Sequence, residues 1–256
     1  MAARVVVALL TPFRSSGEPD ERALAAHVER LVEAGVDALM PCGTTGEGAL
    51  LEPDEVVRVV AATVRAADGR LPVQAHVGRP STRGTVELAR RALGEGAAAV
   101  SAVVPYFYAL GDEQVLAHYR ALVRAVDAPV YAYTIPARTG NDLPASSVRL
   151  LGSEGLAGVK DSTKSLERHR EYLETGIDVL VGTDAFVLEA LRLGAGGCVS
   201  ALANVRPDLL CAIRDRLDEA PQAEVVALRE RLPMRALKAA VAEVVPGYPT
   251  EYRAPL

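Results

Sequence analysis

The length, composition and charge of the chain exclude several classes of protein. It has 256 residues, 50% of them hydrophobic, which is enough apolar sequence to bury one sizeable core. The net charge of −5 and the scattered basic residues give no electrostatic footprint for nucleic acid or for an anionic membrane, and no apolar run reaches the roughly 18 residues of a membrane span.

Eight short apolar runs alternate with longer segments of helical periodicity. Their continuous apolar character is typical of parallel strands that are buried on both faces. Dividing the chain by eight gives units of about 32 residues, close to the size of a βα repeat. We therefore predict an α/β fold of the (β/α)8 TIM-barrel type, with strands at residues 5–10, 38–41, 73–76, 98–104, 130–133, 156–160, 179–182 and 198–201.

Helical segments are predicted between and after these strands. In the first of them Leu24, Val28 and Leu31 form an apolar stripe, and Gly35 follows where a C-cap would lie. After residue 205 the chain is predicted to be helical to about residue 245. We divide it into a barrel that extends through strand eight, residues 1–204, and a second region, residues 205–256, with a closing helix, a shortened C-terminal helical extension and a tail.

An open, doubly wound sheet would give the same alternation of strands and helices. A dinucleotide-binding sheet of that kind has a G-x-G-x-x-G turn after its first strand, and residues 10–17 contain none. The sequence therefore favours the barrel.

The cysteines and histidines bear on location and metal content. Cys42, Cys198 and Cys211 form no C-x-x-C pair, and a sparse, odd set of cysteines suits the reducing cytosol. The first residues lead into a strand-like run without the layout of a signal peptide. Because the four histidines are well separated, a dedicated zinc or iron site is not expected. We predict a cytoplasmic protein.

Lys160 is the residue with the clearest chemical meaning. Active sites of (β/α)8 barrels lie where strands end, and Lys160 closes the sixth apolar run. An apolar pocket disfavours the ammonium form, and the neutral amine can attack a ketone to form an iminium that acts as an electron sink. Such chemistry needs no metal or organic cofactor. The alternative is a lysine that extends from the strand end into solvent.

Polar side chains end two other predicted strands. Tyr133 ends the fifth, where a phenol could transfer protons to and from the amine, or could be an ordinary core tyrosine. The loop 43–48 after strand two offers Thr44, Thr45 and several glycines, which suits the carboxylate of a keto acid but also suits a tight turn. Arg138 could bind a second carboxylate, or could be a solvated loop residue.

Three motifs together resemble the family of dihydrodipicolinate synthase and N-acetylneuraminate lyase. Gly43-Thr44-Thr45-Gly46-Glu47 matches the hallmark loop of that family. The segment 133–140, Tyr-Thr-Ile-Pro-Ala-Arg-Thr-Gly, is similar to its Tyr-Asn-x-Pro-x-Arg-Thr-Gly segment, and Gly158-Val159-Lys160-Asp161 is similar to its Schiff-base lysine segment. The resemblance extends from the first strand to about residue 204.

The resemblance implies a class I, pyruvate-dependent aldolase or lyase on a barrel. It also implies a homo-oligomer, a dimer or a tetramer, that binds a small keto acid and an aldehyde. The implied roles are Schiff-base formation for Lys160, proton donation for Tyr133, proton relay for Thr44, keto-acid carboxylate binding for Thr45, a backbone contact to pyruvate for Val199, and binding of the second substrate's carboxylate for Arg138.

Two features leave the second substrate open. Phe107 stands where the family usually places a tyrosine that reaches the neighbouring subunit's site, and the closing segment 246–256 resembles that of 2-keto-3-deoxy-sugar-acid aldolases. Arg138, by contrast, favours the dihydrodipicolinate synthase branch. The alternatives are therefore a synthase-like aldolase, a sugar-acid aldolase or related hydro-lyase, and a catalytically silent paralogue that binds keto acids.

Overall fold

Eight parallel strands form the centre of the protein in a computed structural model that describes residues 2–256. Each strand pairs with its neighbour in sequence, and β1 also pairs with β8. A parallel bridge between Leu39 and Val73 joins the remaining edges, β2 and β3. The predicted (β/α)8 barrel is confirmed, with strands β1 (Arg4–Ala8), β2 (Ala38–Met40), β3 (Gln74–His76), β4 (Ala99–Val103), β5 (Val130–Thr134), β6 (Gly158–Asp161), β7 (Asp178–Val181) and β8 (Gly197–Ser200).

Eleven α-helices lie between and after the strands in the described part of the chain. Their ends follow local rules, since the side chain of Asp20 caps the N-terminus of α1 and Pro53 opens α2 behind a Glu52–Glu55 capping box. The helices are α1 (Glu21–Glu33), α2 (Pro53–Ala67), α3 (Thr82–Gly94), α4 (Asp112–Ala125), α5 (Pro136–Thr139), α6 (Ala145–Ser153), α7 (Leu166–Leu173), α8 (Val187–Arg192), α9 (Pro207–Arg216), α10 (Glu219–Arg231) and α11 (Leu237–Ala242).

The strands alternate their side chains between two apolar cores. One core lies inside the barrel and includes Met40, Tyr131, Leu180 and Val199. The larger core lies between the outer face of the barrel and the surrounding helices. This arrangement explains the near-continuous apolar runs, because both faces of each strand are buried. It also directs alternate residues of every strand into the barrel interior.

A polar cluster occupies the end of the barrel where the strands begin. Arg4 of β1 forms an ion pair with Asp178 of β7, and the Tyr131 hydroxyl donates to Asp178 Oδ2 at 2.9 Å. The pKa of Tyr131 is raised, mainly because the phenol is buried. These groups pair with one another, so they form a structural polar cluster that closes this end of the barrel. The candidate active site is therefore expected at the opposite end, where the strands finish.

Each predicted strand coincides with an observed one, and the differences lie at the ends. The first was predicted to extend to residue 10, whereas β1 ends at Ala8. Leu9 and Leu10 are buried, but the Leu10 amide donates to the Asn204 side chain at 3.1 Å instead of to a strand. Burial therefore continues past the strand, and an apolar pattern cannot mark its end.

The segment after β8 consists of helices α9, α10 and α11 with short 3₁₀ turns, followed by an irregular stretch that returns to the barrel. The division of the chain at residue 204 stays a prediction. None of the helices within residues 2–256 combines the length and apolar character that a bilayer crossing requires. Cys42, Cys198 and Cys211 are all buried and free.

Candidate active site

Lys160 and Tyr133 are direct partners across strands β6 and β5. Both point into the barrel, and their exposed fractions are only 5% and 2%. Lys160 Nζ lies 3.9 Å from the centroid of the Tyr133 ring, so the amine contacts the face of the phenol. The predicted proximity of the two side chains is therefore present, and the alternative of a solvent-facing lysine is wrong.

A glycine on the next strand leaves room for the lysine. A Cβ atom at Gly182, which follows β7, would lie 3.1 Å from Lys160 Cε and 2.1 Å from the Ser162 hydroxyl oxygen. Any larger residue there would displace the lysine side chain or its neighbour. The small residue at the end of β7 is thus part of the geometry that directs Lys160 into the mouth.

The loop 43–48 brings its hydroxyls to the same place. Thr44 Oγ1 lies 3.4 Å from the Tyr133 hydroxyl oxygen. This distance is long for a hydrogen bond between hydroxyls, and a shift of a few tenths of an ångström in either side chain would bring the two oxygens to the usual distance. Thr45 is buried beside it. The loop turns back sharply on itself, since a Cβ atom at Gly48 would lie 1.6 Å from the Cys42 carbonyl oxygen. Glycine is therefore obligatory at that position.

His76 completes one wall next to Tyr133, with ring centroids 6.0 Å apart. Its Nε2 atom accepts a hydrogen bond from the Val103 amide at 3.2 Å. Burial, with smaller contributions from the nearby cations Lys160 and Arg79, lowers the pKa of His76 to about 3. A histidine that stays neutral and bonds to the backbone supports the wall, and it takes no predicted catalytic role.

A cavity of about 280 Å³ opens above these residues. Thr44 and Arg138 line it, whereas Lys160 and Tyr133 do not, so Thr44 connects the cavity to the lysine through its contact with Tyr133. Arg138 lies on the short helix α5 and is exposed. The remaining wall is largely apolar and includes Leu50, Val103, Ile135 and Met234.

Val199 lies on β8 with an exposed fraction of 3%, and its side chain belongs to the core inside the barrel. The structure thus brings Lys160, Tyr133, Thr44 and Thr45 together at the barrel mouth, with Arg138 at the rim, and places Val199 in the core inside the barrel. The chemical roles of all six stay predictions.

Phe107 lies away from the cavity. Its side chain is 84% exposed, its backbone has φ of 82°, and its ring packs edge-on against Tyr108 with centroids 5.1 Å apart. Tyr106, by contrast, is half-buried and lines the cavity. Of the two neighbouring tyrosines, Tyr106 is the one that presents its side chain to the site of its own chain.

Sequence reasoning missed the part of the site that comes from the end of the chain. Met234, Pro255 and Leu256 line the cavity, and Glu47 of the threonine loop pairs with Lys238 at 2.6 Å. Glu47 was visible in the motif, but no pattern in the sequence connected it with a residue beyond the barrel. The only available signal was a carboxylate inside an otherwise uncharged loop.

The comparisons with known proteins agree with this geometry. A model of the dihydrodipicolinate synthetase family matches residues 1–246. An uncharacterized DapA-like lyase of Halobacterium salinarum is 40% identical over 218 residues, 84% of this chain and 72% of that protein. A 4-hydroxy-tetrahydrodipicolinate synthase of Rhodospirillum centenum is 39% identical over 255 residues, 98% of this chain and 87% of that protein.

Among solved structures, YagE of E. coli K12 is a close match. This prophage protein of the dihydrodipicolinic acid synthase family was crystallised in complex with pyruvate, and it aligns with a TM-score of 0.94 at 26% identity. The alignment covers 99% of this chain and 92% of that chain.

The barrel with its buried lysine defines a class of protein, the aldolase-type lyases that form a Schiff base and do not depend on a metal. The chain belongs to the dihydrodipicolinate synthetase family. The resemblance seen in three sequence motifs is thereby confirmed, and so is the prediction of a class I lyase that acts on a 2-keto acid.

Proposed function

We propose that this protein uses Lys160 to capture pyruvate, or a similar 2-keto acid, and joins it to an aldehyde. The observation that carries the proposal is the buried Lys160 amine, 3.9 Å from the Tyr133 ring in a barrel mouth. The hydroxyl of the same tyrosine lies 3.4 Å from Thr44 Oγ1, which gives a route for protons between the lysine and the cavity.

The proposed reaction begins with the keto-acid carboxylate bound by the Thr45 side chain and the backbone of the loop 43–48, with the backbone of Val199 on the other side. The neutral Lys160 amine attacks the ketone carbon and forms a carbinolamine. Tyr133 and Thr44 then move a proton to its hydroxyl, which leaves as water and produces the iminium. Loss of a proton from the adjacent carbon gives an enamine.

The enamine then adds to the carbonyl carbon of an aldehyde, whose oxygen takes a proton. Water attacks the regenerated iminium, which releases the product and restores the lysine amine. All steps are reversible, so the same residues can cleave the product. No electron acceptor is needed because the iminium nitrogen accepts the electron pair.

For the second substrate we propose a short aldehyde that carries a carboxylate, such as aspartate semialdehyde. Arg138 at the rim can bind a carboxylate through two parallel hydrogen bonds. The apolar walls formed by Leu50, Ile135 and Met234 offer few partners for a chain of hydroxyl groups. Relatives named 4-hydroxy-tetrahydrodipicolinate synthase support the same reaction.

A second candidate is a 2-keto-3-deoxy-sugar-acid aldolase or a related hydro-lyase. Phe107 favours it, because the side chain at this position has no hydroxyl to contribute to a relay. Initial rates with pyruvate and aspartate semialdehyde, measured against pyruvate with sugar-derived aldehydes, separate the two. A preference of the enzyme for the sugar aldehydes would replace the first candidate by the second.

Covalent trapping tests the Schiff base directly. Incubation with pyruvate and borohydride should reduce the iminium and leave one 1-carboxyethyl group on the Lys160 nitrogen, which peptide mass mapping locates. The chain has only three lysines, Lys160, Lys164 and Lys238, so the assignment is simple. K160R should abolish labelling, and K164R, which alters an exposed neighbour, should not. Wild-type protein that stays unlabelled at saturating pyruvate would contradict the proposal.

We also propose that the protein acts as a cytoplasmic homo-oligomer. The exposed aromatic pair Phe107 and Tyr108 is suited to packing against a second copy of the chain. The three buried free cysteines suit a reducing compartment. Light scattering of the wild-type protein and of F107S measures the oligomer, and a monomeric wild-type protein would contradict that part of the proposal.

A further inference from the structure

A buried ion pair links the threonine loop to the region after the barrel. Lys238 Nζ lies 2.6 Å from Glu47 Oε1, and the side chains of both residues are completely buried. Lys238 comes from α11, at the far end of the chain from the loop 43–48. The sequence has 28 basic residues but only three lysines, and two of them, Lys160 and Lys238, are buried.

The surroundings of Lys238 hold its ammonium group in place. Nζ also donates to the Glu251 carbonyl oxygen at 2.7 Å. The ammonium group also lies over the faces of the Phe13 and Tyr252 rings, with each ring centroid 4.4 Å from Nζ. Two acceptors and two aromatic faces match a compact ammonium better than a planar guanidinium. Burial lowers the pKa of Lys238, and the hydrogen bond and charge of Glu47 oppose that shift.

The other oxygen of Glu47 is also occupied. Glu47 Oε2 accepts a hydrogen bond from the Arg253 amide at 2.8 Å. The Arg253 guanidinium donates to the Leu50 carbonyl at 3.0 Å and binds both carboxylate oxygens of Glu55, at 2.5 and 2.7 Å. Arg253, near the end of the chain, therefore contacts both the loop 43–48 and the start of α2.

Glu47 links these contacts to Thr44 and Thr45, the residues of the loop that carry hydroxyls. Its backbone is left-handed, with φ of 57°, a conformation that is uncommon for a residue with a side chain. Its amide donates to the Thr44 carbonyl oxygen at 3.2 Å. A movement of Glu47 would thus be transmitted directly to Thr44 and Thr45.

We propose that Lys238 is a positioning residue that, through Glu47, holds Thr44 and Thr45 in the conformation that receives the keto-acid carboxylate. The proposal rests on the proposed function, because it assigns the carboxylate to this loop. It predicts that the region after the barrel controls affinity for the keto acid without contacting the reacting atoms.

The test compares K238M with R4M. Both variants remove the cation of an ion pair, but the Arg4–Asp178 pair lies at the opposite end of the barrel. In K238M the KM for pyruvate should rise by about tenfold to a hundredfold, and kcat should fall as well, because a loop displaced by about 1 Å carries both the carboxylate-binding Thr45 and the proton-relaying Thr44. In R4M thermal stability should fall while the KM for pyruvate stays at the wild-type value.

A double variant covers the case in which K238M does not fold. E47Q/K238M removes both charges, so it leaves no unpaired ion in the interior. Since the two residues act through one contact, the KM of the double variant for pyruvate should also rise by about tenfold to a hundredfold over wild type, no more than the loss of Lys238 alone would cause. A wild-type KM in K238M or in the double variant, or an equal rise in R4M, would overturn the proposal.

Failure of the proposed function is distinguishable from this outcome. If the wild-type protein is not labelled by pyruvate and borohydride, the Schiff-base function itself fails. If it is labelled, and K238M is labelled at the same pyruvate concentration with the same half-saturation, only the role of Lys238 fails.

Discussion

Tyr133 makes two contacts that can be separated experimentally. Its ring lies against Lys160 Nζ and its hydroxyl against Thr44 Oγ1. Y133F keeps the ring and removes the hydroxyl, so we expect kcat to fall by about 10²- to 10⁴-fold, the usual contribution of a proton-transferring group. The KM for pyruvate should change much less. Steady-state kinetics measure both parameters.

Y131F is the matched control for this prediction. Tyr131 lies on the same strand and also points inward, but its hydroxyl bonds to Asp178 at the other end of the barrel. Its kcat should stay near the wild-type value. Equal losses in both variants would mean that the hydroxyl of Tyr133 supports the fold rather than the reaction.

Single residues differ in how well the sequence predicts their surroundings. Lys160 and Tyr133 could be placed together because each ends an apolar run, and consecutive parallel strands are neighbours in a barrel. Lys238 could not be placed beside Glu47. The amphipathic pattern around residue 238 predicts a helix, but no local rule says which distant carboxylate its lysine meets.

The threonine loop is the element whose shape depends most on one glycine. A Cβ atom at Gly48 would lie 1.6 Å from the Cys42 carbonyl oxygen, and backbone cannot move aside as a flexible side chain would. We expect G48A to lower the free energy of unfolding by about 3 kcal/mol or more and to raise the KM for pyruvate. Denaturant unfolding and steady-state kinetics test the two parts.

Gly94 provides the comparison within a helix. It is the last residue of α3, and a Cβ atom there would meet nothing within 4 Å. G94A should leave stability unchanged or raise it by up to about 1 kcal/mol, through the lower chain entropy of the unfolded state. If G48A were as well tolerated as G94A, the tight turn of the loop would not be required.

Among the elements, the sequence predicts the strands and long helices well but the connections poorly. Helix α5 has only four residues, Pro136 to Thr139, so no periodicity could reveal it, although it carries Arg138. The stretch beyond α11 has no regular structure, and its position is set by Arg253 rather than by a pattern. Long-range polar contacts of this kind are invisible to local propensity.

Buried histidines give the whole molecule a predictable pH dependence. Burial lowers the pKa of His27 to about 4 and that of His76 to about 3, whereas an unfolded histidine has a pKa of about 6.5. Between these values the unfolded chain binds more protons than the folded protein. The stability that this linkage contributes is present above about pH 6.5 and is lost as the pH falls toward 4 and 3.

H27Q should weaken this dependence. His27 Nε2 bonds to Asn204 Oδ1 at 3.1 Å, and the amide of glutamine can replace that contact without titrating. The difference in the free energy of unfolding between pH 7 and pH 4 should shrink by about 3 kcal/mol relative to wild type, from a shift of roughly 2.5 pKa units. Urea unfolding at a series of pH values measures it, and an unchanged slope would contradict the prediction.

The reactivity of the buried cysteines can be used to measure local opening and unfolding of the protein. Burial raises the pKa of the Cys42 thiol to about 12 and raises that of Cys198 as well, so the thiolates that react with alkylating reagents are scarce in the closed state. Cys42 adjoins the threonine loop, whereas Cys198 lies within β8. The rate at which each thiol is alkylated therefore reports a different event, local opening of the mouth for Cys42 and unfolding of the barrel for Cys198.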